Sequence, residues 1–302
     1  MIRSLDPQSE QFLTFLDLAK ARADRAQLEV SSGRRIHTVS DDPAQVGTLM
    51  QTRSDLRQVE QVQSNLARVK GEVDIAESVL QDAVSLLEQA QVLGAQGATT
   101  ALSASNRSVL AGQVNALLDQ LVQASRTNVA GRFVFSGDTD SAAPYTFDAT
   151  QQPYPVSLYQ GSAATRQIMH PSGTLFMVAR TAQQIFDDTD PNNNAFQAVN
   201  NLRLALESND VNAIQTALGT VRTATDHVNN QLSWYGTVQR QVNEAVDFGN
   251  RLELRLKTQV SSIEDADLAE SILELQQAQF QQEAAMNVQA RVPRTSLFDY
   301  LG

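Results

Sequence analysis

The residues of this chain with the most obvious capacity for chemistry are three histidines and a few short acidic runs. His37, His170 and His227 fall in three different predicted elements. A metal site or a general base needs partners that converge on one point. We therefore interpret the histidines as loop or surface residues, and we predict no catalytic residue, no metal site and no cofactor.

The acidic runs have the form of turns and helix caps. The run at 187–190 resembles part of a calcium loop, but it lacks the glycine and the distal glutamate of an EF-hand. The run at 41–43 reads as a helix N-cap followed by a proline at the first helical position. A hydrolase using acidic residues of the central segment is a distant alternative, and it would depend on Asp187 or Asp188.

Composition argues against several other classes of function. The sequence has no cysteine, so it can form neither disulfides nor thiolate sites. Its net charge is -11 and its only adjacent basic pair is Arg34-Arg35, which argues against nucleic acid as a partner. No apolar run approaches the roughly 18 residues of a membrane span. Charged residues also interrupt the N-terminal segment, so we expect no cleavable signal peptide.

Apolar residues at alternating steps of three and four predict a helix at each end of the chain. The first helix should span residues 7–32, with Asp6 as its cap and Gly33 just beyond its end. The last should begin at the Asp267 cap and end before Pro293. Their predicted apolar seams are Phe12, Leu16, Ala19, Ala23, Ala26 and Val30 in the first, and Leu268, Ile272, Leu275, Phe280, Ala284 and Val288 in the last.

These two seams are narrow, because alanine supplies much of the first and glutamine surrounds the second. An isolated helix of this kind is marginal in water. We therefore predict that both helices form an assembly interface, in which their seams are buried against other chains; burial within one chain is the alternative.

Three longer heptad patterns predict the interior of the molecule. They occupy residues 44–94, about 110–128 and 228–263, and we interpret their seams as intramolecular core. Short apolar runs within 132–194 predict strands, with 166–169 pairing with 156–159 across Gly161. The expected fold is mainly α, with long antiparallel helical rods in a coiled-coil bundle, a small inserted β-rich domain and paired termini.

This organisation predicts three domains. A terminal helical assembly domain comprises 1–40 and 265–302, and a helical rod domain comprises 41–131 and 195–264. A β-rich outer domain, 132–194, is inserted between the two halves of the rod domain.

Two stretches resemble signatures of the flagellin superfamily. The first contains Ser32, Gly33, Arg35 and Ile36, followed by Ser40, Asp41, Asp42 and Pro43. The second contains Gly131, Arg132, Phe133, Phe135 and Gly137. The second stretch, the short middle segment and the ending at 296–301 resemble the hook–filament junction proteins more than flagellin itself.

The resemblance implies a structural, non-enzymatic subunit of the bacterial flagellum. It implies export through the flagellar type III channel without signal cleavage, aided by an export chaperone, and an extracellular location. It also implies a homo-oligomeric ring with a hook-associated protein on the hook side and flagellin on the filament side. A flagellin-type filament subunit is the alternative.

Overall fold

The computed structural model describes residues 7–139 and 141–291. The predicted Asp6 cap, Pro293 and the ending at 296–301 lie outside these residues. Within them the mainly α fold is confirmed, with seven helices and two small antiparallel sheets. The elements are α1 (Pro7–Ser32), α2 (Pro43–Gly97), α3 (Ala104–Ser125), β1 (Asn128–Val129), β2 (Arg132–Phe133), β3 (Gln167–Met169), β4 (Leu175–Met177), α4 (Ala182–Phe186), α5 (Ala195–Glu207), α6 (Val211–Glu264) and α7 (Leu268–Arg291).

Contacts divide the chain into two compact units. The terminal unit is Met1–Gln58 with Glu253–Gly302, and the central unit is Val59–Leu252. Helices α2 and α6 each contribute to both units. The predicted division into three domains stays a prediction.

The central unit is organised by the predicted heptad seams. Leu80 and Leu87 of α2, Leu121 of α3 and Val228 and Val242 of α6 are fully buried in one apolar cluster. Apolar residues repeating every three or four positions share one helix face, so these seams meet in the core. The interior interpretation is therefore confirmed for the parts of these patterns that lie in the central unit, whereas Gln259, farther along α6, is exposed.

The third helix ends earlier than its pattern indicated. Asn128, the last residue of the predicted seam, lies in β1, and α3 stops at Ser125. Ala130 and Gly131 have φ values of 51° and 85°, so they form a tight turn between β1 and β2. The Asn128 side chain supports this turn by accepting a hydrogen bond from the Gly131 amide at 2.9 Å.

The predicted pairing of the strands in 132–194 is wrong. Strand β3 pairs with β4, with Ile168 opposite Phe176. The cause is a local turn closed by the His170 amide, which donates to Thr174 at 2.7 Å. The predicted strand at 156–159 instead shares a single bridge, between Val156 and Phe147, with the apolar run at 145–147.

Aromatic side chains attach this irregular segment to the helices of the central unit. The Phe135 ring lies edge-on to Phe186 and to Tyr235, with centroids 6.1 and 6.4 Å away. The Tyr145 ring lies 5.1 Å from that of Phe196 on α5. The segment and the helices therefore share one core.

Candidate assembly surface of the terminal helices

Helices α1 and α7 pack against each other within one chain. Near the end of α1 and the start of α7, the Ser271 hydroxyl donates to the Glu29 carboxylate at 2.9 Å, so the two helices run antiparallel. The most buried side chains of the pair are small, and they are Ala19, Ala23, Ala26, Ser271 and Ala278. Small side chains let the two backbones approach closely, but they remove little apolar area from water.

The predicted seam of α1 is the face that this pairing covers. Ala19, Ala23 and Ala26 are between 2% and 8% exposed. Phe12, Leu16 and Val30 are half-buried. The periodicity therefore identified the buried face of α1, and α7 of the same chain covers much of it, while burial against other chains stays a prediction.

The predicted seam of α7 lies mostly in solvent. Leu275 is half-buried, whereas Leu268, Ile272, Phe280 and Val288 are 47%, 43%, 72% and 64% exposed and Ala284 is exposed as well. The face turned toward α1 is instead Ser271, Leu275, Ala278, Gln282 and Ala285. An apolar pattern could not reveal this face, because serine and glutamine occupy two of its five positions.

The pair exposes large apolar side chains over much of its surface. They are Leu13, Phe15, Leu18 and Leu28 on α1, and Leu268, Ile272, Leu273, Phe280, Met286 and Val288 on α7. Single exposed apolar residues are common in soluble proteins, but ten on two helices are more than is usual for one small surface.

The first signature forms a corner that ties α1 and α2 to the turn between α6 and α7. The Arg35 amide donates to the Glu264 carbonyl at 2.7 Å, and its guanidinium reaches the Ile263 carbonyl at 3.0 Å and Asp42 at 3.1 Å. The Gly33 carbonyl accepts from the Ala266 amide at 3.0 Å. Gly33 has a φ of 71°, a conformation that suits glycine at the end of a helix.

A buried carboxylate lies at the centre of this corner. The Glu264 side chain is 4% exposed, and its oxygens lie 2.8 Å from the Arg34 Nε and 2.5 Å from an Arg53 Nη. A buried carboxylate needs such partners, because an unpaired charge is costly to remove from water. The sequence suggests Glu264 as part of the acidic start of the last helix, but it is the last residue of α6, and no local pattern relates it to Arg53, which is far away in sequence.

The remaining residues of the first signature shape the loop between α1 and α2. The Ser32 hydroxyl bonds back to the Leu28 carbonyl at 2.6 Å, and Ile36 is 7% exposed. Ser40 shares a hydrogen bond with Thr38. Pro43 opens α2, and the predicted cap is present because Asp42 accepts from the Gln45 amide at 3.2 Å.

The second signature lies in the central unit. Arg132 and Phe133 form β2, and Phe135 is fully buried. Gly137 has a φ of 65°, and a Cβ there would lie 2.2 Å from the Ser162 carbonyl oxygen. These residues therefore build the central core and its turns, whereas the first signature builds the corner of the terminal unit.

The acidic run at 187–190 has a structural role at its first residue. The Asp187 carboxylate accepts from the Tyr145 hydroxyl at 2.9 Å and from the Asn194 amide at 2.6 Å. Burial raises the pKa of Asp187 above its usual value, and these two hydrogen bonds oppose the rise. In the part of the chain that the structure describes, no group of three possible ligands is placed to hold a metal ion.

Comparison with known proteins identifies the family. Residues 8–140 match the bacterial flagellin N-terminal helical region, and residues 216–301 match the bacterial flagellin C-terminal helical region. The chain belongs to the flagellin superfamily. Both signatures, α7 and all of α1 except Pro7 lie within the matched residues.

Individual relatives within the superfamily show which of its members this chain resembles. The chain is 28% identical over 280 residues to flagellar hook-associated protein 3 of Salmonella typhimurium, covering 85% of this chain and 86% of the relative. It is 22% identical over 277 residues to a flagellar filament core protein of Treponema phagedenis, covering 90% of each. The chain is homologous to flagellar hook-associated protein 3.

Solved structures share the fold. Hook-associated protein 3 from Legionella pneumophila superposes with a TM-score of 0.62 at 15% identity, over 71% of this chain and 98% of that one. FlgL from Xanthomonas campestris superposes with a TM-score of 0.60 at 16% identity, over 68% of this chain and 98% of that one.

Among the described residues of this flagellin-superfamily chain, no helix combines the length and the apolar character that a membrane span requires.

The corner of this flagellin-superfamily chain should respond to acid through Asp41. Its carboxylate accepts from the Thr38 amide at 2.7 Å and the His37 amide at 2.8 Å, and these bonds hold the pKa of Asp41 below its usual value of 3.8. A carboxyl whose pKa is lower in the folded state stabilises the fold above the unfolded pKa and loses that effect as pH falls through the folded value. We expect the two amides to keep their protection from exchange at pH 3.8 and to lose it only as the pH falls further, through the lowered pKa of Asp41.

Amide hydrogen exchange measured by NMR from about pH 2 to about pH 6, a range that brackets the usual pKa of an aspartate, checks this expectation. Asp41→Asn should abolish the acid transition at His37 and Thr38. The exposed Asp24, on α1, provides the matched control Asp24→Asn, which should leave it unchanged. A transition that persists in Asp41→Asn would contradict the assignment.

Proposed function

We propose that this chain is a structural subunit of the bacterial flagellum that forms the junction between hook and filament. The observation that carries the proposal is the exposed apolar surface of the α1/α7 pair in a chain homologous to hook-associated protein 3. In this role the twelve predicted interface residues act in two ways. The α1 seam holds α7, and the exposed residues of α7 meet neighbouring subunits.

Burial of apolar side chains between subunits should stabilise α1 and α7 more than their contact with each other does. Fully burying one exposed leucine or phenylalanine yields about 1.5–3 kcal/mol. The pair exposes ten large apolar residues, so their combined burial can exceed the roughly 4–15 kcal/mol that association costs. The small side chains between α1 and α7 contribute much less, so neighbouring chains supply most of the stabilisation.

The same proposal specifies partners and location. Copies of the chain form a ring, with a hook-associated protein on the hook side and flagellin on the filament side. The chain reaches the exterior through the flagellar export channel, bound beforehand by an export chaperone and without signal cleavage. It acts by packing and not as an enzyme, in keeping with relatives that are structural flagellar proteins.

A second candidate is a subunit of the filament itself. The similarity to the Treponema filament protein, which extends over 90% of both chains, favours it. Seeding decides between the two, because a filament subunit would extend filament fragments into long homopolymers. A junction subunit would add at most a terminal layer.

Electron microscopy of cells that lack this protein tests the proposal directly. We expect hooks without filaments and flagellin shed into the medium, with full restoration by the intact chain. Chains lacking residues 1–30 or 270–302 should be produced but should not restore filaments, because each deletion removes one member of the α1/α7 pair. Filaments of normal number and length in the deletion strain would refute the junction role.

A further inference from the structure

A small pocket in the central unit gathers positive charge in an otherwise acidic part of the chain. Its volume is about 220 Å³, and α2, β2 and the β3–β4 hairpin form its walls. The charged residues of its lining are Arg68, Arg132, Arg166 and Glu72. Apolar residues such as Val69 and Ile168 complete it.

The arginine content of the pocket contrasts with the acidic composition of the central unit. The central unit, Val59–Leu252, contains 18 aspartate and glutamate residues but only 11 arginine and lysine residues. Three of these 11 cations line the one pocket, with a single carboxylate among them. The pocket is therefore positive on a surface that is mainly negative.

The hydrogen bonds of the lining leave one guanidinium available. Arg166 pairs with Glu72 at 2.6 Å, so the single carboxylate is already engaged. The exposed Arg68 donates only to the neutral Asn65 side chain, at 3.3 Å, among the residues that the structure describes. Arg132 keeps contacts of its own within the chain and adds its charge to the wall.

Arginine in such a setting selects a planar anion. The guanidinium presents a rigid set of donors that matches a carboxylate in two parallel hydrogen bonds. The pocket is small, so it suits one acidic side chain rather than an extended polyanion. Two copies of an acidic chain repel each other unless local patches of opposite charge meet.

We propose that this arginine pocket receives a carboxylate side chain from a neighbouring copy of the same chain. The inference rests on the proposed function, since a ring brings copies side by side. The acid-rich central unit of a neighbour supplies the complementary charge. Such a contact sets the position of adjacent central units, and it weakens as salt rises.

Charge reversal at Arg68 tests the proposal in living cells. Each variant is expressed as the only copy of the chain, and filaments retained after calibrated shear are counted. Arg68→Glu should reduce retained filaments at least fivefold. The matched control, Arg222→Glu, makes the same charge change at an exposed position on α6 outside the pocket and should stay within twofold of the parent.

Thermal unfolding of the purified variants separates a lost contact from a lost fold. Arg68→Glu and Arg222→Glu should both melt within about 2 °C of the parent, because substitutions at exposed positions seldom change stability appreciably. Equal filament retention in the two variants would overturn the proposal. Normal filaments in cells lacking the chain would instead refute the junction role itself.

A free anion is the remaining possible occupant. The intact purified chain is titrated with glutarate and with inorganic phosphate while the arginine side-chain N–H signals are followed by NMR. The proposal predicts no saturable binding below millimolar concentration. Tight binding that Arg68→Glu abolishes would assign the pocket to a small anion and overturn the contact between copies.

Discussion

Replacing Leu273 and Phe280 together with serine is expected to abolish incorporation of the chain into flagella without unfolding it. The two side chains are 58% and 72% exposed. They are seven residues apart, so they share the face of α7 opposite to Ser271 and Ala278. Substitutions at such exposed positions usually change stability by about 0.5 kcal/mol or less each, so we expect the loss to arise between chains.

Immunogold electron microscopy measures incorporation, and circular dichroism during heating measures stability. Leu158→Ser is the matched control, because Leu158 is 88% exposed but lies in the central unit. This control should change neither quantity. Normal filaments in the Leu273/Phe280 double variant would show that the exposed face of α7 is not an interface.

Replacing Phe135 with alanine is expected to destabilise the central unit by about 3–5 kcal/mol. Its ring is fully buried and makes edge contacts with Phe186 and Tyr235, so alanine loses these contacts and leaves a cavity. Urea unfolding followed by the fluorescence of Trp234 measures the change. This sole tryptophan lies 4.9 Å from the Tyr235 ring and therefore reports on the same region.

Phe133→Ala provides an internal comparison two residues away in the same signature. Phe133 is only half-buried, so its truncation removes less buried apolar surface. The free energy of unfolding should therefore fall by roughly half as much as in Phe135→Ala, or less. If the two alanine variants were equally stable, Phe135 would not be the anchor of the 132–194 segment.

Much of the helical architecture follows from local pattern. The predicted bounds of α1 agree with the structure, and the seams of α2 and α6 are the buried faces of those helices. The Asp42 and Asp267 caps are also present, and Asp267 accepts from the Ala269 amide at 2.9 Å. Each feature depends on residues within a few positions of one another, which a single sequence displays directly.

The errors share a different cause. The face of α7 toward α1 carries Ser271 and Gln282, whose burial or exposure depends on the small residues of a helix far away in sequence. The β3–β4 pairing was decided by a short turn that competed with a longer connection through Gly161. The pairing of Glu264 with Arg53 likewise joins residues that no local pattern relates.

The sequence by itself determined the helices, their caps, most of their buried faces and the family, because periodicity and signatures are local properties. Only the tertiary structure decided which helix faces are buried within the chain, which remain exposed, and which charged residues lie together. In the structure the alanine seam of α1 is buried against α7, Phe280 and Val288 of α7 are exposed to solvent, and three arginines line one pocket. These outcomes depend on which distant surfaces compete for burial, and folding resolves that competition through the area and charge that each pairing removes from water.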